Sequence, residues 1–288
     1  MLRHRADWRS AGLITLVTVT LVVQWQLPAP NGWLIALSVV LALPLAAMAH
    51  NHNHSAMWRP AWLNVVTSYW LSFFYGLPTM SWLVVHNWSH HAHVNVAGKD
   101  ITSTHNAGDR SDLWGVLLYT PTSMGPFLRG HREAFARFWS RSPRRALYYA
   151  SHIAFLYGGL ATLLLLEPVK TLLFVVVPQQ AAILSITVFN YCQHVHADEG
   201  SEYNFTRNFV SPMLNAYLFN AGLHTAHHLD PSTHWSELPV VHARIAERVD
   251  PRLEERSFWR YFWRRIVLPT FSRRHRSEPV RTTTTPLV

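Results

Sequence analysis

Two apolar blocks open the chain. Residues 11–27 are apolar except for threonines, Gln24 and Gln26, and residues 32–49 are apolar except for Ser38. At a helical rise of about 1.5 Å per residue, each is close to the length of a membrane span. The prolines Pro28 and Pro30 between them predict a helical hairpin. A second hairpin is predicted at 146–166 and 171–189, turned at Glu167, Pro168, Val169 and Lys170. The pattern therefore predicts an all-α integral membrane fold with four transmembrane helices in two hairpins.

Three further stretches are less regular. Residues 61–85 are long enough to cross a bilayer but are interrupted by Asn64, Ser68, Ser72, Gly76, Pro78 and Ser81. They are expected as two shorter helices broken near Gly76 and Pro78, dipping into the membrane or lying at its surface. Residues 113–127 invite the same reading. From 243 to 276 the chain is arginine-rich, with Phe258, Trp259, Tyr261, Phe262 and Trp263 close together. That mixture suits an interfacial helix at the lipid headgroups, a solvated basic tail being the alternative. Thr282 to Thr285 is the one low-complexity run, expected as a disordered end. The chain is expected to form a single domain over residues 1–288.

Composition supports the membrane reading. Hydrophobic residues make up 49% of the chain and charged residues 14%, against roughly 25% charged in soluble domains. The net charge is +9, and of 25 basic residues only Lys99 and Lys170 are lysine. With four spans and both termini inside, the outer loops carry a single basic residue, Lys170, which is the asymmetry of the positive-inside rule. The basic excess then needs no nucleic acid partner. Both termini and the histidine-rich cap are expected on the cytoplasmic side, in a bacterial inner membrane. The single cysteine, Cys192, rules out an intrachain disulfide. Arg3, Arg5 and Arg9 precede the first apolar block, but the chain leads straight into a second, so no cleavable signal is expected.

The chemistry is expected from 19 histidines, most of them in four groups at the ends of predicted helices. His50 and His54 are four apart on a continuing helix and share a face, as a chelating pair must. His86 and His90 repeat that spacing, and His91 points about 100° away toward a second ion. Asn190 and His194 are again four apart, and His224, His227 and His228 fall within little more than one turn. Together these are nine imidazoles, enough for two metals with open positions. Imidazole suits zinc, copper, iron or nickel, so ligand type alone does not choose. A structural zinc site would call for cysteines this chain lacks. His52, His93, His105, His196, His234 and His242 are weaker candidates, and His4, His131, His152 and His275 carry no ligand assignment.

The boxes His50/His54, His86/His90/His91 and His224/His227/His228 resemble those of the membrane fatty acid desaturase and hydroxylase superfamily. The stretch from Asn220 to Trp235 and Pro239 is similar to bacterial members in particular. The resemblance implies two iron ions, molecular oxygen as co-substrate, and an external electron donor such as a ferredoxin or rubredoxin. It also implies that Asn190 touches a metal through water and that His194 is the ninth ligand. The implied reaction is a double or triple bond made in an acyl chain carried on coenzyme A, a carrier protein or a phospholipid. Hydroxylation, ketone formation and alkene-forming decarboxylation are alternatives on the same scaffold. Asp198, Glu199, Asp109 and Asp230 are expected to orient the ligands. Trp82, Trp88, His152, Phe189, Tyr217 and Phe219 are expected to line the acyl path. A metal transporter is the reading from another class, but its ligands should lie near the bilayer midplane rather than at helix ends.

Overall fold

The structure, a computed structural model, describes residues 1–280; Thr282 to Thr285 lie outside the described residues. It is helical with almost no strand. Among the described residues four helices are long and apolar enough to cross a membrane: Arg5–Gln26, Gly32–His54, Pro143–Leu166 and Pro168–His194. Their large apolar side chains point outward in quantity; Leu165, for instance, is 86% exposed. Lipid, unlike water, makes that arrangement free of penalty. The helices are labelled α1 (Trp8–Gln26, the main part of the first span), α2 (Gly32–His54), α3 (Ala61–Tyr75), α4 (Met80–Trp82, continued by a π-helical stretch Leu83–His90 and by His91–His93), α5 (Leu113–Arg141), α6 (Pro143–Leu166) and α7 (Pro168–His194). Short elements follow: β1 (Asn208–Phe209), α8 (Pro212–Tyr217), α9 (His224–Leu229), α10 (Leu238–Ile245), β2 (Glu254–Glu255, parallel to β1) and α11 (Phe258–Phe262, continued by Trp263–Val267 and Leu268–Phe271).

The chain divides into two compact units, each made of two separate stretches. The first comprises Met1–Leu83 and Arg132–Ile186. Its helices are joined by polar side chains inside an apolar bundle. Gln24 Nε2 on α1 donates to Ser38 Oγ on α2 at 2.7 Å, and Trp70 Nε1 on α3 donates to Thr18 Oγ1 on α1 at 3.0 Å. Such bonds contribute about 0.6 kcal/mol each on average. Lys170 Nζ caps α1 by donating to the carbonyl of Trp25 at 2.9 Å. His52 accepts the backbone N–H of Met57 at 3.3 Å, which explains an extra histidine between two box residues as a structural one.

The expected break in 61–85 is present. α3 ends at Gly76, whose φ of +88° is left-handed, and the chain turns before α4. A Cβ at Gly76 would sit 2.8 Å from Gln179 Cβ. Gly76→Ala therefore meets both a backbone cost of about 1–2 kcal/mol and a clash. The expected result is a lower thermal midpoint of the detergent-solubilised protein.

The second unit comprises Val84–His131 and the chain from Thr187 onward. Its core is built from Phe189, Cys192, Phe209, Tyr261 and Ile266. Contrary to the broken reading of 113–127, α5 is continuous and runs on to Arg141. Pro121 and Pro126 lie inside it without ending it; nearby, Thr122 Oγ1 donates to the carbonyl of Leu118 at 2.6 Å and His131 Nδ1 to that of Phe127 at 2.8 Å. The apolar pattern stops at 127 because the rest of the helix is charged on its exposed face. α11 divides its aromatics, with Tyr261 buried and Trp259 72% exposed.

Candidate metal centre

Each predicted box keeps its histidines on helical turns, but the winding differs from an α-helix at one of them. α2 runs past its apolar part to His54, and the His50 and His54 rings lie 4.9 Å apart, as four-residue spacing requires. In α4, residues Leu83–His90 wind as a π-helix. A π-turn closes i to i+5 rather than i to i+4, so it is His91, not His90, that comes over His86. Their Nε2 atoms are 2.9 Å apart, and His227 Nε2 lies 3.1 Å from that of His91. The His90 ring stays stacked 5.2 Å from that of His86, but its ligand nitrogen falls in the other group of imidazoles. The α-helical expectation of a His86/His90 chelating pair is corrected accordingly.

In the second unit the imidazoles form two groups. His86, His91 and His227 have ligand nitrogens within 4.8 Å of one another, and so do His90, His194, His224 and His228. In the latter, His224 Nε2 is 3.0 Å from His194 Nε2 and 3.1 Å from His228 Nε2. The groups adjoin, the His91 and His228 rings being 4.3 Å apart. In the first unit His50 and His54 form a pair of the same kind, packed edge-on against Trp82 at 5.5 Å from His50.

The group around His90 is prepared for a cation. His90 Nδ1 donates to Asp100 Oδ2 at 2.7 Å, which fixes the tautomer and leaves the lone pair on Nε2. That Nε2 is buried and has no hydrogen-bond partner, an expensive state unless an acceptor of lone pairs sits in front of it. Neighbouring Nε2 atoms near 3 Å can share only one proton per pair, so a metal satisfies the group where hydrogen bonding does not. His228 is pushed well below the usual imidazole range by burial first and by the imidazoles of His224, His90, His91 and His194 after it. It is thus neutral and available as a ligand at physiological pH. The residues present fit two metal ions, although imidazole alone does not name the element.

Asp100 was not among the acids singled out from sequence. Burial alone would raise its carboxyl; the His90 imidazole and the N–H groups of Thr102 and Asn95 more than reverse this and hold it well below the usual carboxylate range. Thr102 N donates to Oδ1 at 2.7 Å and Asn95 N to Oδ2 at 2.8 Å. The turn that delivers Asn95 is strained: Val94 has a φ of +22° and Asn95 of +64°. The only sequence signal was a turn-forming stretch, with Gly98 at a φ of +74°, that brings the chain back within ten residues of His90.

The acids expected in that role lie elsewhere. Asp109 accepts from Thr104 Oγ1 at 2.6 Å, Asp230 from Ser232 and Thr233, Asp198 from the N–H of Gly200, and Glu199 faces His105 at 3.2 Å. The weaker histidine candidates also stay outside both groups. His196 pairs with Ser277 Oγ at 2.8 Å, His234 with Ser236 Oγ at 2.8 Å and His242 with Glu254 at 3.4 Å, while His93 is exposed. Asn190 Nδ2 donates to Tyr119 OH at 2.8 Å, and Tyr119 in turn to the carbonyl of Thr102 at 2.6 Å, which ties Asn190 to the loop carrying Asp100. Of the expected acyl-path residues, Phe189 packs in the core with Phe209 and Phe258, and Phe219 packs edge-on against Trp235. His152 is fully buried, bonded to Ser72 Oγ at 2.9 Å and stacked on Tyr69. Trp88 is 37% exposed and Tyr217 half-buried.

Four helices long and apolar enough to cross a membrane, and imidazoles grouped so that they could hold metal ions with a carboxylate behind one of them, define the class of a multi-pass membrane protein with a candidate metal centre. The profile of the family described as "Fatty acid desaturase" matches residues 5–270. The chain belongs to the fatty acid desaturase family. No curated protein matches it.

Proposed function

We propose that the protein is an oxygen-dependent di-iron desaturase that introduces a double bond, or a triple bond into a chain already unsaturated, in a fatty acyl substrate. The observation that carries this reading is the seven imidazoles of the second unit in two adjoining groups, with Asp100 behind His90. The first box, His50 and His54, is assigned as the remaining ligand pair because its spacing resembles the first histidine box of the desaturase superfamily. Asn190 is assigned a contact to metal through water on the same ground. Two iron ions, when bound, supply oxygen activation and the oxidising power to remove hydrogen from an unactivated methylene.

The protein's own part is positional. Asp100 holds His90 with its proton on Nδ1 and so presents Nε2. Burial keeps His228 neutral. Trp82, edge-on to His50, is assigned to contact the acyl chain, and Trp88, His152 and Tyr217 are assigned the same role from their place in the sequence. Loss of a second hydrogen from the neighbouring carbon yields the alkene, whereas oxygen transfer to the first carbon yields an alcohol; positioning within about 1 Å decides between them. Electrons come from an acidic carrier of the ferredoxin or rubredoxin type, drawn to the arginine-rich cytoplasmic face. The aromatic and arginine-rich helix α11 lies at the headgroups on that face, with both termini on the same side.

Mass spectrometry of lipids from a host expressing the protein and fed labelled fatty acids tests the reaction. The expected product is two mass units lighter than the fed chain, whether a double bond forms in a saturated chain or a triple bond forms from a double bond already present. Oxygenated chains without new unsaturation would establish hydroxylation instead, and a chain-shortened terminal alkene would establish decarboxylation.

A further inference from the structure

The group His90, His194, His224 and His228 draws its ligands from three elements that are far apart in sequence, and two of them are gripped by consecutive residues. Arg207 is 5% exposed, and among the described residues it makes no ion pair with a carboxylate. Its Nη1 lies 2.7 Å from the carbonyl of Cys192 and 3.1 Å from that of Val195, and 2.9 Å from Tyr261 OH. Its backbone N–H donates to the carbonyl of Gln193 at 2.6 Å. These are carbonyls that a helix leaves without partners at its C-terminus, where a cation is favoured. The helix concerned is α7, which ends at His194. The guanidinium also lies 4.5 Å above the Tyr261 ring, which helps hold the buried charge.

Asn208 is fully buried and serves the other helix. The cap position of α9 is Leu223, whose side chain cannot bond the exposed N–H groups. Asn208 Oδ1 does so from seventeen residues away, accepting Thr225 N at 3.0 Å, while its Nδ2 donates to Thr225 Oγ1 at 3.0 Å and to Glu254 Oε1 at 3.0 Å. Thr225 directly follows His224. The next residue, Phe209, donates its N–H to the carbonyl of Gly222 at 2.8 Å, and Gly222 has no room for a Cβ against Phe209 O.

We infer that Arg207 and Asn208 are positioning residues for one metal ion of the pair: Arg207 holds the end of the helix bearing His194, Asn208 the start of the helix bearing His224 and His228. Two adjacent residues on one short extended segment thereby set the 3.0 Å separation of His194 Nε2 and His224 Nε2. The inference rests on the metal-centre reading. It predicts that changes at this pair loosen one ion and spare the one held with His86, His91 and His227.

The test titrates metal-free, full-length protein in detergent micelles with cobalt(II), following its visible absorption, alongside the thermal midpoint of the metal-free protein. The parent is expected to bind two equivalents tightly, and His90→Ala identifies the step belonging to this group. Arg207→Lys and Asn208→Ala are expected to weaken that same step by about 10–100-fold, as for other residues that orient ligands, and to leave the other unchanged. Thr225→Val removes the hydroxyl that accepts from Asn208 Nδ2 and that also meets Thr206 Oγ1, with little change of shape, and it reads the Asn208 side of the grip if Asn208→Ala does not fold. Parent-like affinity at both steps in the folded variants would overturn the inference. So would equal weakening of both steps in proportion to a lowered midpoint, the mark of a general structural role. A parent that binds fewer than two equivalents would instead overturn the metal-centre reading beneath it.

Discussion

Replacing His90 by alanine is expected to leave the purified protein with one iron instead of two and to reduce acyl oxidation by more than about 100-fold, the upper end of what losing a mere supporting contact costs. His90 is 1% exposed and turns its buried Nε2, which has no hydrogen-bond partner, toward the group of imidazoles it belongs to. His227→Ala should cause a similar loss of turnover through the other ion, because His227 belongs with His86 and His91. Iron content by plasma mass spectrometry and product formation in the same preparations check both. Two irons and ordinary turnover in either variant would show that the ligands are misassigned.

The second large effect is expected at a residue that is no ligand. Asp100→Asn keeps the shape of the side chain but replaces a charged acceptor with an amide, and the amide can donate toward His90 Nδ1. His90 would then be driven to carry its proton on Nε2, the atom needed for metal. A loss of about 10–100-fold in iron affinity or turnover is expected, with the helical content by circular dichroism unchanged. Asp100→Glu should recover little, because four donors, His90 Nδ1, Asn95 N, Thr102 N and Thr102 Oγ1, fix the carboxylate in place. Full iron occupancy in Asp100→Asn would remove Asp100 from the account.

What was legible in the sequence follows from which signals are local. Four spans could be read because lipid demands long unbroken apolar runs. The break at Gly76 could be read because polar residues and Pro78 interrupt that run, and the structure places a left-handed glycine there. The boxes were legible because chelation imposes spacing on neighbouring histidines. The π-winding of Leu83–His90 was not, since nothing in the order of residues separates an i+5 from an i+4 partner until the helix is packed. This is why His86 was expected beside His90 and is found facing His91. Asp100 was hidden because its role depends on how a strained turn at Val94 and Asn95 folds back. Arg207 and Asn208 were hidden for the same reason, as their contacts reach 12 to 54 residues along the chain. The continuation of α5 to Arg141 was missed because its charged face ends the apolar pattern at 127.

On the proposed function, imidazoles of this chain enclose two iron ions. X-ray absorption at the iron edge, on protein whose iron content has been counted, tests it most directly. Two irons per chain are expected, each in a shell of nitrogen and oxygen with the outer scattering of imidazole rings and no sulfur. A single iron per chain, or a shell lacking imidazole, would contradict it.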